Sequence, residues 1–235
     1  DNVFSNATAS AYFTVEKRTT EIIPDKKTID LFVDDEDKIT YALKPDYALG
    51  NVSFSSNDSN IASVDSESGE IMANAEGSAT ITVSFLGSEN YTASNATVTV
   101  NVKKIPTQIT VNSSDMDMKV NGENDVGAGL EPANAGNLTY KSSDENIVIV
   151  ENGRIKGLKE GNATITVSVG GDGVYAENST IVTVTVSKVP TEISAANPTV
   201  DMEVNDEVAT GATLTPADAG NVTYTVSNSS VVKVE

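Results

Sequence analysis

Apolar and polar residues alternate strictly along Ile81-Thr82-Val83-Ser84-Phe85, Ile165-Thr166-Val167-Ser168-Val169 and Val182-Thr183-Val184-Thr185-Val186. A period of two places one side-chain set on a core and the other in water, which predicts half-buried β-strands. Val and Thr suit a pleated surface because their branched side chains pack well on it. No stretch carries helical spacing, so the chain reads as all-β. Between residues 103 and 187, turn residues delimit strands at Ile109–Val111, Asp115–Lys119, Asp125–Leu130, Leu138–Ser142, Ile147–Glu151, Arg154–Gly157, Ala163–Val169 and Thr180–Val186. Asn152-Gly153 is a strong two-residue hairpin signal between the fifth and sixth of these. The expected core is Leu130, Tyr140, Ile147, Val150, Ile155, Ile165, Val167, Val182 and Val184.

The pattern repeats with a period of about 85 residues. Gly50-Asn51-Val52-Ser53-Phe54 returns as Gly136-Asn137-Leu138-Thr139-Tyr140 and as Gly220-Asn221-Val222-Thr223-Tyr224. Gly77-Ser78-Ala79-Thr80-Ile81 returns as Gly161-Asn162-Ala163-Thr164-Ile165, and Thr20-Glu21-Ile22 as Thr107-Gln108-Ile109 and Thr191-Glu192-Ile193. Independent anchors that agree on one register identify a repeat array. The register divides the chain into 1–16, the closing strand of a truncated upstream repeat; 17–102 and 103–187, two complete repeats; and 188–235, the first half of another. About seven short strands per repeat fit an immunoglobulin-like sandwich. The fold expected is therefore all-β: tandem immunoglobulin-like β-sandwiches in a beads-on-a-rod array. The junctions Val102-Lys103-Lys104-Ile105-Pro106-Thr107 and Val186-Ser187-Lys188-Val189-Pro190-Thr191 contain Pro and no Gly/Ser spacer, so they should restrict bending.

Composition narrows the chemistry. The 235 residues include no Cys, His or Trp, which removes disulfides, Cys/His zinc sites and Ser-His or Cys-His nucleophile pairs. A formal charge of −19 argues against nucleic acid and against direct contact with an anionic membrane. Paired carboxylates could be nominated for glycoside hydrolysis, but none sits in a pocket motif, so no enzyme activity is expected.

The segments Gly136–Val150, Asn152–Gly157 and Gly161–Val167, with Ser55–Val64 in the first repeat, resemble the bacterial immunoglobulin-like group 2 domain. The closing stretches, Gly87–Tyr91 and Gly173–Tyr175, are similar to related Ig-like repeats of large surface proteins. The resemblance implies a setting in bacterial adhesins, phage tails or the long adhesin-like surface proteins of methanogenic archaea. It brings no catalytic residues, and the fold alone names no ligand.

Eleven Asn-X-Ser/Thr sites occur, at Asn6, Asn51, Asn57, Asn90, Asn95, Asn112, Asn137, Asn162, Asn178, Asn221 and Asn228. The 22 Asn and 50 Ser and Thr would give roughly five such sites by chance. Strand alternation itself favours Thr two residues after Asn. Selection for N-linked glycans on an external surface is the alternative, with Asn51, Asn137 and Asn221 foremost because they share one register. A Cys-free, acidic, sequon-rich array fits an archaeal cell surface better than a eukaryotic secreted protein.

No cofactor is expected. Asp34-Asp35-Glu36-Asp37 could ligate Ca²⁺, yet its counterparts at Asn121–Asp125 and Asn205–Glu207 keep only part of the charge, which favours a solvated hairpin turn. Asp65–Glu70 lacks calcium-loop spacing and reads as a turn. Tyr47, without a counterpart, is a weak candidate for a sugar platform. The expected function is a stalk or adhesive segment of a long extracellular repeat protein. It would attach cells, or hold a binding tip away from the surface. Expected partners are another cell surface or polysaccharide, and neighbouring repeats. The alternatives are a purely structural fibre or phage-tail module, or an accessory module of a surface enzyme.

Overall fold

A computed structural model describes Phe4 and residues 7–234. All regular structure in them is β, and no helix is long and apolar enough to cross a membrane. The first repeat holds β1 (Glu21–Pro24), β2 (Thr28–Phe32), β3 (Glu36–Lys38), β4 (Tyr41–Lys44), β5 (Val52–Ser56), β6 (Ala62–Val64), β7 (Glu70–Ala73), β8 (Gly77–Phe85) and β9 (Ser94–Lys103). The second holds β10 (Gln108–Thr110), β11 (Asp115–Lys119), β12 (Glu123–Asp125), β13 (Gly129–Glu131), β14 (Thr139–Ser142), β15 (Val148–Glu151), β16 (Arg154–Gly157), β17 (Gly161–Val169) and β18 (Asn178–Ser187). After these come β19 (Glu192–Ala195) and β20 (Ala212–Thr215).

The sheets repeat as the sequence does. Four strands in the order β2-β9-β8-β5 oppose β3-β7-β6, with β1-β4 alongside; β11-β18-β17-β14, β12-β16-β15 and β10-β13 reproduce that order. The first strand of each large sheet runs parallel to the last one of its repeat, Thr28–Phe32 beside Thr99–Lys103 and Asp115–Lys119 beside Thr183–Ser187. These are Ig-like sandwiches. Alternation explains the core directly: Ala79, Ile81, Val83 and Phe85 are buried along β8 while the Ser and Thr between them face outward.

Contacts group the chain into two compact units. One is Asp1–Asn112 with Gly127–Tyr140 and Thr166–Thr180; the other is Ser113–Val126 with Lys141–Ile165 and Ile181–Glu235. The core of the first is built on Ile22, Phe54, Ile71, Ile81, Phe85 and Val100, and Val174 packs against it. In the second, Val126, Val148, Ile155, Ile165, Val182 and Val184 are fully buried.

Several expectations need correction. Leu130, Tyr140, Ile147 and Val150 are only half-buried, and Val148 takes the fully buried place. Ile147 lies instead beneath Gly161, where a Cβ would approach its Cδ1 to 2.8 Å. The single strand expected over Asp125–Leu130 is two strands, because β12 pairs with β16 and β13 with β10. Between them Val126 is buried and donates its N–H to the Gly153 carbonyl at 2.9 Å. Gly127 makes the turn at φ +60°, and a Cβ there would overlap the Asn112 side chain. In the first repeat the same handover falls after Ile39, whose N–H bonds to Gly69.

The flanking segments differ most. Of residues 1–16, expected as a closing strand, 1–3, 5 and 6 lie outside the described residues; 7–16 form no strand, and Tyr12, Phe13 and Val15 are exposed. Val222–Tyr224 also form no strand. A strand needs a ladder partner for its N–H and C=O groups. β9 has two, and β5 has β8; neither flanking segment has an equivalent among the described residues.

Candidate surface sites

The eleven sequons fall into distinct environments. Asn51, Asn137 and Asn221 are exposed, and their side chains make no hydrogen bond among the described residues. Each follows a glycine, and Asn51 and Asn137 lead into β5 and β14. Asn95 on β9 and Asn162 on β17 occupy outward, exposed positions. Asn90 and Asn112 are exposed in loops; the Asn90 carbonyl accepts the Arg18 N–H. Asn6 lies outside the described residues.

Three sequon side chains are hydrogen-bonded to backbone groups. Asn57 Oδ1 accepts the Thr80 N–H at 2.7 Å, and Ser143 Oγ performs the same task for Thr164 at 2.9 Å. Asn178 Nδ2 donates to the Thr107 carbonyl, tying β18 to the segment before β10. Asn228 Oδ1 accepts the Ser230 N–H at 3.0 Å. Only the first two reach across the fold; the third stiffens a turn.

The acidic run does not converge. Asp35 Oδ2 accepts the Phe32 N–H at 2.8 Å. Asp37 accepts the Lys38 N–H at 2.8 Å and pairs with Lys26 at 3.0 Å. No group of three or more potential metal-ligating side chains is present among the described residues. Asp65 accepts the N–H groups of Ser68 and Glu67, and Asp172 those of Tyr175 and Val174. Both are turns closed by a carboxylate. Backbone donors hold three carboxyls below their ordinary range: Lys38 N–H and then the Lys26 ammonium at Asp37, chiefly Ser68 at Asp65, and Tyr175 then Val174 at Asp172.

A shallow groove on the outside of β3-β7-β6, lined by Glu36, Lys38, Ser63, Asp65, Glu70 and Met72, was not singled out by sequence. Period two along β3 and β7 is the signal that turns these side chains outward. Tyr47 is no free platform. Arg18 lies over its ring at 5.6 Å and donates to its hydroxyl, and Tyr91 packs at 6.5 Å between centroids. The shorter turn of the second repeat does the equivalent through Asn134 Nδ2, which donates to the Tyr175 hydroxyl at 2.8 Å.

The junction before the second repeat is short. β9 is still paired at Lys103, whose carbonyl accepts the Val33 N–H at 2.9 Å. Ile105 already bonds in both directions, its N–H to Val174 at 2.8 Å and its carbonyl to the Ala176 N–H at 2.9 Å. Lys104 alone separates these two anchored residues.

Residues 105–179 match the profile of the bacterial Ig-like domain, group 2. That range contains the Gly136–Val150, Asn152–Gly157 and Gly161–Val167 segments on which the resemblance was read. No curated protein matches the chain. Among solved structures it is similar to domains 4 and 5 of the S-layer protein SbsC, at 17% identity over 71% of this chain and 96% of that one, with a TM-score of 0.36. It is similar to a longer SbsC structure at 16% identity over 81% of this chain, TM-score 0.37, and spans 33% of that structure's length. Drosophila N-cadherin EC1-4 matches at 13% identity over 74% of this chain and 50% of that one, TM-score 0.34.

Proposed function

We propose that the chain is a non-catalytic segment of an extracellular stalk or adhesive array, in which the repeats 17–102 and 103–187 act as successive Ig-like spacers. The observation that carries this reading is the junction. A flexible tether leaves residues unpaired between modules. Here a single residue, Lys104, stands between the last hydrogen bond of β9 and the first of Ile105. Val174, from the second repeat, packs on the core built by the first. Stiff coupling of this kind suits a module whose task is to hold something at a distance. The acidic, disulfide-free surface with its sequons is consistent with exposure outside a prokaryotic, and by our reading archaeal, cell.

The test is surface accessibility in the cells that make the protein. An impermeant biotin reagent should label the lysines on intact cells; labelling only after lysis would overturn the extracellular assignment. Inserting a Gly-Ser spacer after Lys104 should loosen the coupling and widen the distribution of inter-repeat distances read by paired spin labels. An unchanged distribution would refute the spacer role. If the added chain competes with cell attachment, the repeats grip a partner themselves; if it does not, they only space.

A further inference from the structure

The two faces of the first sandwich differ in how many acidic side chains they carry. On β8 the outward positions are Ser78, Thr80, Thr82 and Ser84, and on β9 Asn95, Thr97, Thr99 and Asn101. β9 adds Lys103, and β2 adds Asp30, whose Oδ1 accepts from Asn101 Nδ2 at 2.9 Å, so the strands of this face carry one charge of each sign. The opposite sheet carries Glu36, Lys38, Asp65 and Glu70 around its groove. Two sequon asparagines stand on the four-stranded face. Asn95 is paired with Ser84 across the ladder. Asn51 lies one step before β5, in the outward register because Phe54, three residues on, is buried. Period two also puts the sequon hydroxyls, Ser53 and Thr97, on that same face.

The committed carboxamides lie elsewhere. A glycan replaces one hydrogen on Nδ2, and Asn178 uses Nδ2 to hold the Thr107 carbonyl in a partly buried setting. Asn57 is fixed against Thr80 by its own N–H and by Oδ1. In the second repeat Asn137 holds the register of Asn51, and Asn162 stands at the outward register of Ser78.

We propose that the outer surface of the four-stranded sheet is a glycan-bearing face, modified at Asn51 and Asn95 and, on the corresponding sheet of the second repeat, at Asn137 and Asn162, while Asn57 and Asn178 stay unmodified. This rests on the extracellular reading above. The transfer forms an Nδ2–C1 bond as the sugar's bond to a phosphate leaving group breaks. One Nδ2 proton is lost, and the donor is a phosphate-activated oligosaccharide. Sugars there would cover the four-stranded face and leave the mostly acidic groove as the open side of the module.

Glycopeptide mass spectrometry on the native protein should find sugar on Asn51, Asn95, Asn137 and Asn162 and none on Asn57 or Asn178. Sugar on Asn57 and Asn178 at equal occupancy would overturn the proposal. Empty sequons on a chain that the impermeant reagent labels would overturn it too, while leaving the extracellular reading intact; a chain labelled only after lysis would sink that reading itself. The absence of Cys allows a second readout on the full chain, with N51C, N95C, N57C and N178C each compared before and after conjugation to maleimide-polyethylene glycol. The substitutions themselves should lower Tm by about 4–8 °C at the last two sites, the shift of a lost local interaction in a domain of this size, and leave it unchanged at the first two, where conjugation should leave it unchanged as well. Equal tolerance at all four would refute the proposed sorting.

Discussion

Phe54 and Tyr224 hold the same place in the repeat, each at the end of a Gly-Asn-Val-Ser/Thr-aromatic segment. Phe54 is 5% exposed, on a strand, with Tyr41 packed against its ring at 5.9 Å; Tyr224 is 42% exposed and on no strand. The local sequences are nearly interchangeable, so propensity does not separate them. Partners do. Phe54 faces Val83 on β8, whereas Tyr224 has no ladder partner among the described residues. Alternation therefore specifies which face a residue takes once a sheet exists, whereas the neighbouring strands decide whether it exists.

Supplying the partners is the largest perturbation of this contrast. Appending a copy of Asn152–Ser187 after Glu235 should give Val222–Tyr224 ladder partners. A further cooperative unfolding transition is expected, of about 4–12 kcal/mol for roughly 85 residues, with new amide-exchange protection at Tyr224. Absence of that protection would mean the local sequence itself is deficient. Next in size, F54A should cost about 3–5 kcal/mol in denaturant unfolding, and Y224A within about 0.5 kcal/mol of nothing. Equal effects would erase the distinction.

A backbone version of the contrast is smaller. Gly127 and Gly211 both sit near φ +60° at matching positions. G127A should cost about 1–3 kcal/mol, from left-handed strain and overlap with Asn112, and should lower the main thermal transition. G211A should leave that transition in place, since β19 and β20 pair only with each other.

Acid gives the smallest effect. The depressed carboxyls of Asp37, Asp65 and Asp172 all lie within residues 17–187. Their contribution is fully present above the unfolded carboxylate range near pH 4. It declines as pH falls through the lower folded values. A thermal series from pH 6 to 2 on the D37N, D65N and D172N variants should flatten this decline one step at a time.

Much of the fold was legible because period two survives into the structure: β11 and β16 have the bounds the pattern predicts, and β17 begins two residues earlier. The run Ile147-Val148-Ile149-Val150 was not legible, since four apolar residues in succession carry no phase; burial chose Val148 and left Ile149 exposed. The break at Val126–Ala128 was hidden by alternation that continues through it, and only Gly127 marks the handover between sheets. Among the site residues, the outward placement of Asn95 and Asn162 follows from phase alone. The commitment of Asn178 does not, because its acceptor, Thr107, is 71 positions away in sequence.

The parallel pairing of β2 with β9 has a mechanical consequence. Tension applied through Lys17 and Lys104 pulls β2 toward its start and β9 toward its end. Because the strands run the same way, the five residue pairs from Thr28↔Thr99 to Phe32↔Lys103 are loaded together in shear. An antiparallel pair pulled from one end opens like a zipper, one bond at a time. Here rupture requires the ladder to slip as a block, so resistance to stretching is set by the rate of that one event and not by the equilibrium stability of the sandwich.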